Sequence, residues 1–337
     1  MKGLKKLTLA TAIAAVPFAA NADMKAMDDS AMGNVTGQSG VTIELAAQVD
    51  VKEVAYEDDG FLAISGLSIG GAALDANNDA TTALDDIKLY IDVAGTGGAA
   101  DTGAGAVGNY YLEGAAGSQA NVTWSNSQTN DPANLSRASY EAGMPSVEDG
   151  DLVIGIRSVS GMPVDFGVGI DSVKLAKSTE ASNLGNLGAG TGTTLVSDLQ
   201  LTGQLGPIDI VIQEDTEVMN VNAYFNASGT LNAEFVGTYL DFELHNSRGA
   251  DTNGLEITDA SGNVVVDTSY AHAQVDIGKA SPAAAGAPTE ALAFNVNNFS
   301  GDLDLTNIRM GDAANPSIGN LYMTDLKVNA QMTVYGH

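Results

Sequence analysis

The 337-residue chain has no cysteine, one tryptophan, three histidines and eight prolines. Without cysteine there are no disulfide staples, even in a compartment that would permit them. Three scattered histidines and no thiolate exclude a zinc site. Basic residues are also scarce, with 14 Lys and Arg set against 42 Asp and Glu. Binding to a phosphate backbone needs the opposite sign, so nucleic acid is excluded as a partner. Adsorption to an anionic membrane surface is disfavoured for the same reason. No segment approaches the roughly 18 consecutive apolar residues of a membrane-spanning helix.

What is present begins with a secretory signal. Lys2, Lys5 and Lys6 form a positive start, Leu7 to Phe18 is a short apolar run, and Ala20-Asn21-Ala22 is a small-x-small cleavage site. Residues 1–22 therefore read as a signal for Sec export, with a mature chain from Asp23. Losing three lysines and no acids takes the formal charge from −28 to −31. No cysteine follows the apolar run, so a lipid anchor at that point is excluded. The expected location is the cell surface or the medium of a Gram-negative cell, through the periplasm. At this length a sizeable core can form without staples.

Residues 23–40 read as a short flexible segment ending in Val35-Thr36-Gly37-Gln38-Ser39-Gly40. The cleanest strand pattern follows. Val41, Ile43, Leu45, Ala47, Val49 and Val51 alternate with Thr42, Glu44, Ala46, Gln48 and Asp50. Further period-2 patterns run to the C-terminus, and no amphipathic helix exceeds about two turns. Ser228-Gly229-Thr230 is expected to close a hairpin between alternating runs. The expected fold is all-β over residues 41–337, either an elongated β-sandwich or an irregular β-solenoid with Gly/Ala-rich loop insertions. Residues 95–119, 180–194 and 279–290 are those loops, and 180–194 is where two lobes would divide.

Four segments share an apolar strand ending in Thr and a turn former: Leu199 to Gly203, Leu255 to Asp259, Leu303 to Asn307 and Leu321 to Asp325. Their uneven spacing denies them the status of a regular repeat.

Candidate chemistry is thin. Gly66-Leu67-Ser68-Ile69-Gly70 matches the nucleophile-elbow pattern, but Gly71, Asp75, Asn77 and Asn78 cannot support the helix that must follow. Gly103, Gly105 and Gly108 match a dinucleotide fingerprint without its strand and helix. Asp75, Asn77, Asp79 and Asp86 fall at positions 1, 3, 5 and 12 of a calcium loop. Ala80 stands where that loop needs Gly, and Asp86 where it needs a bidentate Glu. Calcium is nonetheless the one metal worth naming, and no other cofactor is expected. Trp124, near Tyr110 and Tyr111, is either a core anchor or a sugar platform. The adjacent acids Asp85 with Asp86, and Glu214 with Asp215, point to opposite faces of a strand and make poor catalytic couples.

The opening of the mature chain, Met27-Asp28-Asp29-Ser30-Ala31-Met32-Gly33-Asn34-Val35-Thr36-Gly37-Gln38-Ser39-Gly40-Val41-Thr42-Ile43-Glu44-Leu45, resembles that of Fil-type pilus-assembly proteins of Gram-negative bacteria. The ending Met332 to His337 has a similar character. The resemblance implies a surface-appendage or cell-envelope role, with the adhesion and biofilm functions such appendages serve, and carries over no catalytic residue. The leading expectation is therefore an exported, non-enzymatic subunit. It assembles with copies of itself or with other envelope subunits, and the strand Val41–Val51 adds to a neighbour's sheet. The alternatives are an outer-membrane β-barrel and a secreted β-solenoid hydrolase or lyase.

Overall fold

Strand follows strand along the chain, and the fold is all-β. The computed structural model describes residues 40–94, 121–126 (backbone only), 150–160, 162–250, 252–259, 261–280 and 290–335. The signal segment, the 23–39 segment, Gly103 to Gly108, Tyr110 and Tyr111 lie outside the described residues, as does the side chain of Trp124. The described residues belong to one compact unit.

Among the described residues, twelve strands form one antiparallel sheet. Four of its columns hold two strands placed end to end, so twelve strands occupy eight columns. The first column is β1 (Val41–Ala47) and β2 (Val49–Glu57), and the second is β3 (Gly60–Gly70) and β4 (Leu84–Val93). The third is β6 (Leu152–Ser158) and β7 (Val164–Lys177). Then come β8 (Thr193–Ile212) and β9 (Met219–Ala233). The sixth column is β10 (Thr238–His245) and β13 (Ala271–Ala280), followed by β14 (Ala291–Met310) and β15 (Gly319–Val334). Each column pairs antiparallel with the next in sequence order, which makes the sheet an up-and-down meander. A smaller sheet of β5 (Asn121–Asn126), β11 (Asn253–Thr258) and β12 (Val264–Ser269) arises mainly from the excursion between β10 and β13.

Residues paired directly across antiparallel strands share a face. Two rows follow from the pairing. Val41, Ile91, Ile154, Ile210, Val221, Val275, Val296 and Ala330 form one unbroken line across all eight columns. Two residues along, Ile43, Leu89, Ile156, Ile208, Ala223, Ala273, Phe299 and Val328 form another. Both rows lie on one face, which is apolar from edge to edge and aliphatic except for Phe299.

The opposite face is polar, and it is the covered one. Ser68, Arg157, Asp209, Asn222, His272 and Asp302 are all 3% exposed or less, whereas Ile154, Ile210, Val221 and Val275 beside them stay half-buried. The excursion 71–83 supplies part of the cover. Ala80 N–H donates to Ser68 Oγ, and Gln200 donates to Asn78 Oδ1. The 246–270 excursion supplies the rest, packing Leu255, Ile257 and Tyr270 on Tyr224.

Several sequence expectations change here. The strand expected over Val41–Val51 breaks at Gln48, whose side-chain Nε2 donates to Ala80 O at 2.6 Å. Its two parts pair with different strands, β4 and β3, and the second runs on to Glu57. The Thr-plus-turn units are not all strand ends. Asn307 and Asp325 take left-handed backbone inside β14 and β15, a conformation Asn and Asp tolerate. Both sit at register shifts, so the strands bulge and continue. Asp259 does end β11, capping the turn 259–263 through its Oδ1. Ser228-Gly229-Thr230 closes no hairpin: β9 passes through it and turns at Glu234–Gly237. Gly229 is there for closeness, because a Cβ would stand 1.8 Å from Gln200 O of β8. Residues 178–192 join β7 to β8 and bury Leu187 against Phe61, Ala63 and Ala176.

Candidate functional site

The expected assembly strand occupies the outermost column. Val41, Ile43 and Leu45 are 58%, 43% and 38% exposed, Ala47, Val49 and Val51 are half-buried, and among the described residues the column pairs only inward, with β4 and β3. At the other border β15 pairs only inward, with β14. Columns one and eight run in opposite directions, as the ends of an even-numbered meander must. Among the described residues, two long edges therefore carry backbone groups without a strand partner, and neither contains proline. The edge at β15 has no counterpart among the sequence expectations. Its signal was available in the alternation Leu326, Val328, Ala330, Met332, Val334, but alternation does not say which strand ends a sheet.

A second feature lies on the polar face. A cleft of about 660 Å³ opens between β10, Asn226 to Ser228 of β9 and the 246–270 excursion, lined almost wholly by polar groups. Arg248 forks onto Asp304, with Nη1 at 2.8 Å from Oδ2 and Nη2 at 2.5 Å from Oδ1. That pair of charge-assisted bonds holds the Asp304 carboxyl below its ordinary range and raises the guanidinium. Tyr322 lies under the same guanidinium, 5.9 Å from its ring centre. Asp302 is fully enclosed and accepts from the N–H groups of Arg248 and Asp325, tying the excursion to the β15 bulge.

His245 sits between these acids. Its Nδ1 is 2.9 Å from Ser247 Oγ, and its Nε2 is 3.5 Å from Asp304 Oδ2. Ser, His and Asp meet here, and the two amides beside the hydroxyl are engaged within the turn, Ser247 N–H with His245 Nδ1 at 3.3 Å and Arg248 N–H with Asp302 Oδ2 at 2.7 Å. The arrangement holds a turn and presents hydrogen-bonding groups. Sequence reasoning left His245 unlinked, because Asp302 and Asp304 come from a strand more than fifty residues away. The alternation of those acids with Leu303 and Leu305 was the legible signal of a polar face.

The acidic segment divides. Asp75 accepts from the N–H groups of Asn77 and Asp79 through Oδ1, so these three share one tight turn. Asp86 lies elsewhere, in β4, where its carboxylate accepts from Ser158 Oγ and from Ser160 N–H. The fourth ligand of the expected calcium loop is therefore committed to the β4–β6 link. Among the described residues no three His, Cys, Asp or Glu side chains converge to hold a metal ion. Nearby, burial raises the Asp171 carboxyl, with Asp79 adding to the effect and an Asn78 hydrogen bond opposing it.

Ser68 sits in the middle of β3, not at a strand-to-helix elbow. It is fully buried and donates to Asp50 Oδ1 at 2.7 Å. Glu214 and Asp215 lie at the turn between β8 and β9. Trp124 stands opposite Leu255 in the small sheet.

Residues 1–95 match a family described as a family of unknown function, DUF6160. Within the described residues that match spans the first two columns, the exposed edge included. No curated protein and no solved structure matches the chain. No helix among the described residues is long and apolar enough to cross a membrane.

Proposed function

We propose that the protein is an exported structural subunit of a cell-surface appendage or extracellular fibre, built by strand addition between copies. The observation that carries this reading is the pair of unpaired edges. Column one of one copy is antiparallel to column eight of the next, so the sheet continues across the junction in its own alternating sense. Apolar side chains at both borders, Val41 and Ile43 against Val328 and Ala330, would extend the rows from copy to copy. Such a head-to-tail contact does not close and yields a fibre. The acidic surface keeps unassembled chains soluble. Catalysis has no part in this reading.

The test is proline substitution on an edge. Of two consecutive edge residues, one N–H points outward, so Ala330→Pro and Gln331→Pro are made separately, as are Thr42→Pro and Ile43→Pro. In each pair, one variant should stay folded by circular dichroism and form no fibres in negative-stain micrographs. Unchanged fibres in all four variants would refute the reading, as would the absence of fibres from the unsubstituted chain.

One observation favours a second reading, an outer-membrane β-barrel. An even-numbered meander with an aliphatic face and a polar, hydrogen-bonded opposite face has the polarity of such a barrel, and the same two edges would close it. Here the protein would stay with membranes until detergent extraction and migrate faster unheated than boiled. Release by shearing favours the fibre.

A further inference from the structure

We propose that the aliphatic face of the sheet is covered by the same face of a second copy, giving a two-sheet sandwich whose halves come from two chains. The face is an observation separate from the edges, and the inference stands whether or not the edges build fibres.

Eight columns at about 4.8 Å spacing make the face about 34 Å wide, and ten residues of strand make it about 33 Å tall. That is on the order of 1,000 Å² on one partner, compared with about 800 Å² in a standard stable interface. Neither row that defines it contains a charged residue, in a chain with 42 acids. Two copies can therefore meet there without opposing like charges inside the contact.

Relief across the face also points to protein as the occupant. In the second row Ala223 and Ala273 lie side by side between Ile208 and Phe299. Nearer the middle of the strands, Gly203 and Ala227 lie between Phe166 and Leu244. These dips flanked by bulky side chains suit the interdigitation of a facing sheet about 10 Å away. The bordering row is Ile212, Met219, Ile277, Phe294 and Met332. It lacks the Tyr and Trp that mark a membrane–water boundary. A two-fold contact of this kind is isologous, so residues near its centre meet their own copies.

The absence of cysteine makes the test clean. In the full mature chain, Val221→Cys places one thiol near the centre of the face, and Val264→Cys places one on exposed β12 as a control. Oxidation should link Val221→Cys into dimers and leave Val264→Cys monomeric. Sedimentation of the cysteine-free chain should give a dimer. The β-branched pair Ile210→Thr and Val275→Thr, which puts two hydroxyls into the first row, should raise its dissociation constant about 100-fold, with the β-sheet spectrum retained. Gln331→Pro should leave this dimer intact, which separates it from edge assembly. A folded monomer at every concentration would overturn the proposal, and so would solubility only as a detergent-bound monomer, which assigns the face to lipid. If the threonine pair fails to fold, the Val221→Cys result alone decides: no cross-link, no dimer.

Discussion

Arg157 and Asp209 meet at 2.6 Å on the polar face, and neither side chain has any exposed surface. The guanidinium also donates to the carbonyls of Ile156 and Ile208, which closes the link between β6 and β8. Removing one partner of an enclosed pair strands the other charge. Asp209→Ala should therefore cost about 3–5 kcal/mol, read from the urea midpoint. Replacing both residues together, Arg157→Met with Asp209→Leu, should recover most of that loss. A single substitution costing under about 1 kcal/mol would mean the pair is not enclosed in solution.

His272 Nε2–H donates to Asn222 Oδ1 at 2.7 Å, and the ring stacks on Tyr224 with ring centres 4.2 Å apart. Burial lowers its pKa from 6.5 to about 4. Between those values the unfolded chain binds a proton and the folded chain does not. Stability should therefore fall as pH drops from about 6.5 to about 4, by roughly 3 kcal/mol in all. Thermal melts across that range should lose much of their slope in His272→Gln. An unchanged slope would assign the acid sensitivity to other groups.

Asp304 is depressed by its Arg248 hydrogen bonds and contributes in the same direction. Its share is present above the ordinary aspartate range and is lost as pH falls through the lowered value. Arg248→Lys keeps the charge but not the fork, and should cost about 1–2 kcal/mol. Chemical denaturation at neutral pH checks this. No change in midpoint would mean that a point charge suffices.

Gly229→Ala should destabilise by about 2 kcal/mol or more, since the new methyl group cannot occupy the space of Gln200 O. Gly262 has nothing within 4 Å of a Cβ, but its φ of +81° strains any side chain, so Gly262→Ala should cost about 1 kcal/mol. The ratio of the two midpoint shifts tests whether close approach or backbone angle dominates.

Asp86→Ala removes the acceptor for two serines at the β4–β6 link. A loss of about 1–3 kcal/mol is expected, equal in calcium and in chelator. A loss seen only with calcium present would restore the four-ligand loop.

Much of the fold was legible locally. Val41 to Val51 and Leu326 to Val334 alternate so regularly that strands were the only reading, and the lack of any long amphipathic helix made the class all-β. Left-handed Asn307 and Asp325 were misread as strand ends, because Asn and Asp serve turns and bulges equally well. Gly229 was misread for the same reason. A glycine looks alike whether it turns the chain or lets two strands touch.

The sequence by itself determined that the strands have one apolar and one polar side, that no disulfide holds them, and that the chain is strongly acidic. Only the tertiary structure decided which side is covered. Period-2 alternation sorts side chains onto two faces but carries no information about what packs on either. The 71–83 and 246–270 excursions settle that by folding back onto the polar face, where Ser68, Asn226 and Asp302 bind them with hydrogen bonds. The aliphatic face is left half-open for that reason.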